Sequence, residues 1–360
     1  MKNHLTNKLF IPVLLISFLG FGISFNPFAL ESGIGPNAYL TLIIGLLITI
    51  IGLVGLQRLA LKYPNQSLVH VAVNLLGPIG KIGNIIFWSI IFWFIAILTR
   101  RITDIISAMV LFQTPAWIIH CFYLLLIMYM AMKGTETIGR LSAVFIILVP
   151  ILVTLLCMGL KNVNYLNIHP VYIIRDLDSL GKWRVWLVAF APVWIVAFLK
   201  GNNNLRSGLK PILGTVAIGT FILGAFALVV PGVFGPNGVK RYEWPLLELM
   251  GTTGFASNYF FHSIATSIYI FIDLLFTLIT TAVFLTLLLS DLRDLFSLKE
   301  KRSKWVLLII TSGIFSVITF PNVIAFKTGV NPLLETGSIY IPLYIMILWL
   351  VSLFRKKREI

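Results

Sequence analysis

The chain alternates long apolar runs with short breaks that contain charged residues, proline or glycine. About 20 apolar residues span the roughly 30 Å hydrocarbon core of a bilayer. The runs are continuously apolar and do not alternate with polar residues, which favours helices over barrel strands. A helix also satisfies its own backbone hydrogen bonds in lipid. Ten transmembrane helices are predicted, over residues 9–30, 38–57, 83–110, 115–132, 139–160, 183–199, 212–233, 260–290, 305–321 and 338–354.

The composition agrees with a chain that lies almost wholly in the membrane. Hydrophobic residues make up 58% of it and charged residues 11%, and the mean hydropathy is +0.96. Such a chain has too few polar side chains to cover a soluble core. We therefore expect an all-α integral membrane protein with one transmembrane domain, residues 1–360.

The formal charge of +15 is read as membrane topology, not as nucleic-acid binding. Basic residues accumulate on the cytoplasmic side of membrane proteins. With the N-terminus inside, nineteen of the 28 lysines and arginines fall on that side of ten spans. Both termini are therefore predicted to be cytoplasmic, and the basic tail at 355–358 is expected to contact anionic lipid headgroups.

Two segments between spans suggest an internal repeat. Residues 58–82 and 234–259 each contain a short apolar piece introduced by proline, and each follows the second span of its half. If residues 9–160 and 183–354 are repeats of five spans, the second repeat starts from the opposite face of the membrane. That is the inverted-repeat architecture of many transporters. The alternative is that two loops lying along the membrane coincide by chance.

An inverted repeat of this kind predicts an interruption in its first helix. Glycine and proline both weaken a helix, and they occur at the middle of spans one and six. An interrupted helix exposes backbone groups that suit a ligand with carboxylate and ammonium groups. The alternative is that these residues only pack or kink the helices. The predicted ligand-binding residues at the two breaks are Gly20, Gly22, Ile23, Ser24, Phe190, Ala191, Pro192 and Val193.

Asp273 is the acidic residue placed deepest within a span. A carboxylate in lipid costs roughly 2.5–3.5 kcal/mol on insertion scales and marks a functional candidate by default. It could bind a ligand amine, pair with a cation or carry a proton. The alternative is a position nearer the interface, or a hydrogen bond to serine or threonine that serves packing.

Span three carries three charged residues. Asp104 follows Arg100 by one helical turn, so these two can pair on one face. Together with Arg101 they could form a gate or a clamp between helices. A structural pair whose side chains reach towards the interface is the alternative reading.

Enzymatic chemistry has no support in the chain. The five histidines and two cysteines do not form a metal-ligand spacing, and no phosphate-binding glycine loop appears. No nucleophile and base stand together in a recognisable motif. We therefore predict neither an enzyme nor a cofactor.

Motifs along the whole chain resemble the B subunit of the GerA-type spore germinant receptors, a branch of the amino acid–polyamine–organocation transporter superfamily. Their order and spacing carry the resemblance. They are the YP–QSLVHVAVNLLG–GKIGN stretch at 63–84, QTPAW at 113–117, Gly139-Arg140-Leu141 with Pro150, APVW at 191–194, and Arg241 followed by Trp244-Pro245-Leu246-Leu247.

The resemblance implies a LeuT-like fold with broken helices 1 and 6 and a pocket between spans one, three, six and eight. It also implies a larger A subunit and a C-subunit lipoprotein as partners in the spore inner membrane. The expected function is sensing of a small nutrient germinant, for which amino acids are the commonest cue. The alternatives are an amino acid permease that works by alternating access, and a scaffold with a vestigial pocket.

Overall fold

The computed structural model describes most of the chain, and wherever it does so the secondary structure is helical. The described residues are 7–29, 38–63, 66–168, 183–197, 209–239, 241–242, 244–252, 259–296, 299–319 and 323–354. The first six residues and the basic tail after residue 354 lie outside them, so the predicted placement of both termini stays a prediction.

The helices follow one another with short connections. The first half contains α1 (Asn7–Ala29), α2 (Ala38–Lys62), α3 (Leu68–Leu76), α4 (Pro78–Met109), α5 (Ala116–Lys133), α6 (Thr135–Phe145) and α7 (Leu148–Gly159). Two 3-10 turns follow, Leu160–Asn162 and Tyr165–Asn167. The second half contains α8 (Trp183–Ala197), α9 (Lys210–Phe234), α10 (Pro236–Val239), α11 (Pro245–Thr252), α12 (Tyr259–Phe296), α13 (Glu300–Ile318) and α14 (Val323–Phe354).

Among the described residues, seven helices are each long and apolar enough to cross a bilayer: α1, α2, α4, α5, α9, α12 and α14. Helices α6 and α7 meet at 44° and qualify together as an eighth span. The predicted spans at 183–199 and 305–321 correspond to α8 and α13. Helix α8 has only 15 described residues, and α13 opens with a charged turn. An integral membrane helical protein is therefore confirmed, whereas the number ten is not.

The short helix α3 accounts for much of the polar motif between spans two and three. The Ser67 side chain accepts a hydrogen bond from the backbone N–H of His70 and caps the helix. Gly77, at a φ of +60°, ends it in a conformation that side chains disfavour. The Asn84 amide on α4 then donates to the Val69 carbonyl at 3.1 Å. Glycine, serine and asparagine therefore fix α3 against α4.

Helix packing follows the same pattern in the two halves. Helix α1 of the first half contacts α9 of the second half, and its counterpart α8 contacts α2, the counterpart of α9. Within each half, α1 contacts α6 and α8 contacts α14. In the same way α4 contacts α13 while α12 contacts α5, and α3 contacts α4 while α11 contacts α12. These pairings are expected if α1–α7 and α8–α14 are equivalent units. They support the repeat boundaries 9–160 and 183–354, which stay a prediction together with the inverted orientation.

The predicted breaks in spans one and six are wrong. Helix α1 continues through residues 20–24, and α8 continues through residues 190–193 with Pro192 inside it. A glycine costs a helix only about 1 kcal/mol relative to alanine, and tight packing offsets that cost. A Cβ atom on Gly20 would lie 2.7 Å from the Phe276 carbonyl, and one on Gly22 would overlap the Leu223 side chain. The two glycines therefore allow neighbouring helices to approach closely.

Candidate functional site

An ion pair between α4 and α12 lies inside the helical core. The Arg101 guanidinium donates from Nη1 to both carboxylate oxygens of Asp273, at 3.0 and 3.3 Å. The Asp273 side chain is 2% exposed and that of Arg101 15% exposed. A buried carboxylate is tolerated when a cation and hydrogen bonds compensate for its lost hydration. The predicted acidic site is thus deeply buried, and its partner is an arginine on another helix.

Helix α1 brings a hydroxyl to this pair. The same Nη1 atom of Arg101 donates to the Ser24 hydroxyl at 2.8 Å. Ser24 in turn donates to the Gly20 carbonyl one turn earlier, at 2.6 Å. One guanidinium therefore links α1, α4 and α12. No backbone break is needed for Ser24 to reach it.

Thr277 completes the group that we call the central cluster: Ser24, Arg101, Asp273 and Thr277. Its hydroxyl donates to Oδ1 of Asp273 at 3.4 Å and lies 3.5 Å from the Ser24 hydroxyl. Thr277 follows Asp273 by one turn, so both face the same way from α12. The cluster carries one positive and one negative charge and is neutral as a whole. The Arg101 guanidinium offers hydrogen-bond donors to a ligand, and the Asp273 carboxylate offers acceptors.

Two tyrosines lie next to the central cluster. The Tyr269 hydroxyl is close to the Arg101 guanidinium, and the Tyr123 hydroxyl is close to Thr281. Both are within electrostatic range of Arg101 and Asp273. Neither hydroxyl forms a hydrogen bond of normal geometry with any residue that the structure describes. They therefore border the cluster with unused hydrogen-bonding capacity.

The structure divides the predicted ligand-binding residues into two groups. Ser24 and Asp273 meet in the central cluster, and Gly20 contributes its carbonyl to Ser24. The other predicted residues lie in the apolar core, where the described hydrogen bonds and ion pairs do not join their side chains to the cluster. These are Gly22, Ile23, Phe190, Ala191, Pro192 and Val193. Ligand contact by any of them stays a prediction.

The other arginine of span three, Arg100, has a separate role. The Arg100 guanidinium pairs with Asp104 at 3.0 Å, which confirms the predicted pairing one turn apart. It also donates to the Ile318 carbonyl in the last turn of α13. A cation at that position satisfies a carbonyl that the helix end leaves free and interacts favourably with the helix dipole. Arg100 thus joins α4 to α13, whereas its neighbour Arg101 faces α1 and α12.

Sequence reasoning missed four residues at the site. The sequence groups Arg101 with Arg100 and Asp104, although its partner is Asp273. It does not predict Thr277, Tyr123 or Tyr269 as site residues. One signal was available, because an arginine and an aspartate buried in the same membrane domain each need a partner. A second signal was the spacing of Tyr269 and Asp273, which places them one turn apart.

Comparison with known proteins places the chain in a family. A family model described as "Spore germination protein" matches residues 4–324. The spore germination protein YndE of Bacillus subtilis strain 168 is 24% identical over 221 residues. That alignment covers 60% of this chain and 60% of YndE, so it spans less than two thirds of either protein. Because the family model covers most of its length, the chain belongs to the spore germination protein family.

Proposed function

We propose that the chain is the nutrient-sensing membrane subunit of a spore germinant receptor, and that it binds a small zwitterionic germinant, an amino acid, at the central cluster. Membership of the spore germination protein family supports a role in germination. The observation that carries the ligand site is the Arg101–Asp273 pair, buried where the surrounding helices are apolar.

The chemistry of the pair suits a zwitterion. A ligand carboxylate can replace Asp273 beside Arg101, while a ligand ammonium group replaces Arg101 beside Asp273. Every charge then keeps an opposite partner, and the hydroxyls of Ser24 and Thr277 can accept from the ammonium group. A ligand with only one charge would leave one member of the pair buried and unpaired, which costs several kcal/mol.

In our proposal the zwitterionic ligand is bound by side chains and not by the backbone of an unwound helix. Helix α1 is continuous through Ala29, and α8 is continuous through Ala197. Ser24 lies 17 residues after the first residue of α1, roughly 25 Å along the helix axis. With the N-terminus in the cytoplasm, the cluster lies in the outer half of the bilayer, on the side from which nutrients arrive.

The proposal includes an assembly and a location. The receptor would contain a larger A subunit and a C-subunit lipoprotein, and it would reside in the spore inner membrane with both termini of this chain cytoplasmic. Membrane lipids would surround the exposed apolar faces of its helices. Affinity purification of the tagged chain from spore membranes tests the assembly through the recovery of these two subunits.

Variants of the ion pair test the ligand site. Asp273→Asn leaves an arginine that is 15% exposed, whereas Arg101→Gln leaves a carboxylate that is 2% exposed. We therefore expect Arg101→Gln to lower protein abundance more than Asp273→Asn. The double variant Arg101→Gln/Asp273→Asn contains no unpaired charge, so its abundance should recover. Its germination response should remain lost, because neither charge of the ligand has a partner.

The control is the exposed ion pair of Arg140 and Glu136, which lie one turn apart on α6, at 2.7 Å. Exposed pairs contribute little, so Arg140→Gln/Glu136→Gln should change neither abundance nor response. Germination of spores that carry each variant is followed against concentration for the twenty protein amino acids, and abundance by immunoblot. An abundant ion-pair double variant with wild-type concentration dependence would show that the central cluster does not bind the germinant.

A permease is the second candidate, because the recurrent packing of the two halves resembles that of repeat-built transporters. An amino acid permease would move its ligand by alternating access. Uptake of radiolabelled amino acids in vesicles that contain this chain without its partner subunits tests this candidate. Concentrative uptake abolished in Arg101→Gln/Asp273→Asn would favour the permease, and binding without uptake would favour the receptor.

A further inference from the structure

We propose that the hydroxyls of Tyr123 and Tyr269 bind the germinant's carboxylate together with Arg101, and that they set the preference for a free carboxylate over its neutral derivatives. This inference rests on the proposed function and adds two ligand-binding residues to the central cluster. The two tyrosines come from different helices, α5 and α12, so they would approach the ligand from separate sides.

The first argument is that both hydroxyls are buried without a partner. Tyr269 is 1% exposed and Tyr123 is 6% exposed. In the described part of the chain, neither phenolic oxygen has a hydrogen-bond partner. A buried polar group left in this state costs about 1–3 kcal/mol. Phenylalanine would fill the same space without that cost, so the hydroxyls need another explanation than packing.

The second argument is their position. Tyr269 precedes Asp273 by four residues and therefore lies one turn away on the same face of α12. Helix α5, which carries Tyr123, contacts both α4 and α12. Arg101 and Asp273 act electrostatically on both hydroxyls. The two unused hydroxyls therefore adjoin the Arg101–Asp273 ion pair, which links α4 to α12.

The third argument is the chemistry of the group that would satisfy them. A phenolic hydroxyl that donates to a carboxylate forms a charge-assisted hydrogen bond, roughly twice as strong as a neutral one. Tyr269 is next to Arg101, the residue that would attract the carboxylate. A carboxylate has two oxygens and several acceptor positions, enough for the guanidinium and both hydroxyls. Asp273 would remain free to accept from the ammonium group.

Two tyrosines elsewhere in the structure provide a contrast. The Tyr344 hydroxyl donates to Oδ1 of Asn84 at 2.8 Å, and the Tyr340 hydroxyl donates to the Gly83 carbonyl at 2.8 Å. These hydroxyls join α14 to α4 and have their partners within the fold. Replacing them removes a structural bond, whereas replacing Tyr123 or Tyr269 removes only unused capacity. The difference provides a matched control.

The experiment uses the full-length chain in spores and in detergent-solubilised membranes. Tyr269→Phe and Tyr123→Phe should have wild-type or higher abundance and thermal midpoints, because the lost hydroxyls have no hydrogen-bond partner among the described residues. Their germination midpoint for the most effective of the twenty protein amino acids should rise about tenfold, which corresponds to about 1.4 kcal/mol. Tyr344→Phe should do the opposite, with a lower thermal midpoint and an unchanged germination midpoint.

An analogue separates the carboxylate role from a general effect on the site. Wild-type spores should respond to the amide of that amino acid only at much higher concentration. The ratio between the amide and acid midpoints should shrink in Tyr269→Phe, since the lost hydroxyl no longer favours the acid. An unchanged ratio would overturn the carboxylate assignment.

The outcomes distinguish this inference from the proposed function. If Arg101→Gln/Asp273→Asn abolishes the response while both phenylalanine variants keep the wild-type midpoint, the tyrosine inference fails and the ligand site stands. If the phenylalanine variants lose abundance at an unchanged midpoint, the hydroxyls serve the fold and the inference also fails. A wild-type chain that responds to none of the amino acids would overturn both proposals.

Discussion

Replacing Gly20 with alanine tests the close packing of α1 against α12. A Cβ atom at this position would lie 2.7 Å from both the carbonyl carbon and the carbonyl oxygen of Phe276, and 2.8 Å from the Thr280 hydroxyl. Ordinary contact begins near 3.4 Å. Two of these three atoms belong to the backbone, and the third is tied to it, since the Thr280 hydroxyl donates to the Phe276 carbonyl. The helices must therefore move apart by roughly 0.7 Å.

The magnitude follows from two opposing effects. Overpacking of this size typically costs about 1–3 kcal/mol. Alanine favours a helix over glycine by about 1 kcal/mol, which offsets part of that cost. We expect Gly20→Ala to lower the free energy of unfolding by about 1–2 kcal/mol. The thermal midpoint of the detergent-solubilised protein, followed by loss of the monodisperse chromatographic peak, measures the change.

Gly214→Ala on α9 is the matched control. Among the described residues, no atom outside the adjoining helix backbone lies within 4 Å of the Cβ that it would add, so only the gain in helix propensity remains. Its thermal midpoint should equal or exceed that of the wild type. If Gly20→Ala is as stable as Gly214→Ala, α1 does not pack on α12 as described here. If Gly20→Ala instead shifts the germination midpoint at unchanged stability, residue 20 lines a ligand site.

Three further changes test other parts of the structure. Asn84→Ala removes the amide that joins α3 to α4 and accepts a hydrogen bond from Tyr344. It should lower the free energy of unfolding by about 1–3 kcal/mol and with it the thermal midpoint. An unchanged midpoint would contradict this bridge. Gly80→Ala places a Cβ against the Ala72 carbonyl, so it should lower the abundance of the protein on immunoblots. Wild-type abundance would refute the close approach of α3 and α4. Arg302→Cys should react with an impermeant thiol reagent only after the membrane is opened; labelling from outside would overturn the predicted topology.

The sequence alone determined the class of the protein and the approximate positions of its helices. Continuous apolar runs must form helices in lipid, because the bilayer offers no partner for an open backbone. The short helices α3 and α11 were also predictable, since proline, a capping serine and a terminal glycine act within a few residues. Pairing of Arg100 with Asp104 was predictable for the same reason: four residues on one helix fix the distance.

Only the tertiary structure decided what the glycines and charges do. Glycine and proline in spans one and six are equally consistent with an unwound helix and with a closely packed one. The backbone carbonyl of Phe276, 256 positions further along the chain than Gly20, decides in favour of packing. No local pattern contains that information, because it depends on which helix faces α1.

The same limit applies to the central cluster. The cost of a charge in lipid made Asp273 a candidate from the sequence, but that cost says only that a partner exists. Arg101, Ser24 and the two tyrosine hydroxyls come from α4, α1, α5 and α12. Their meeting is set by helix packing over the whole chain. The sequence thus determined which residues were costly to bury, and the tertiary structure alone decided which of them meet to offset that cost.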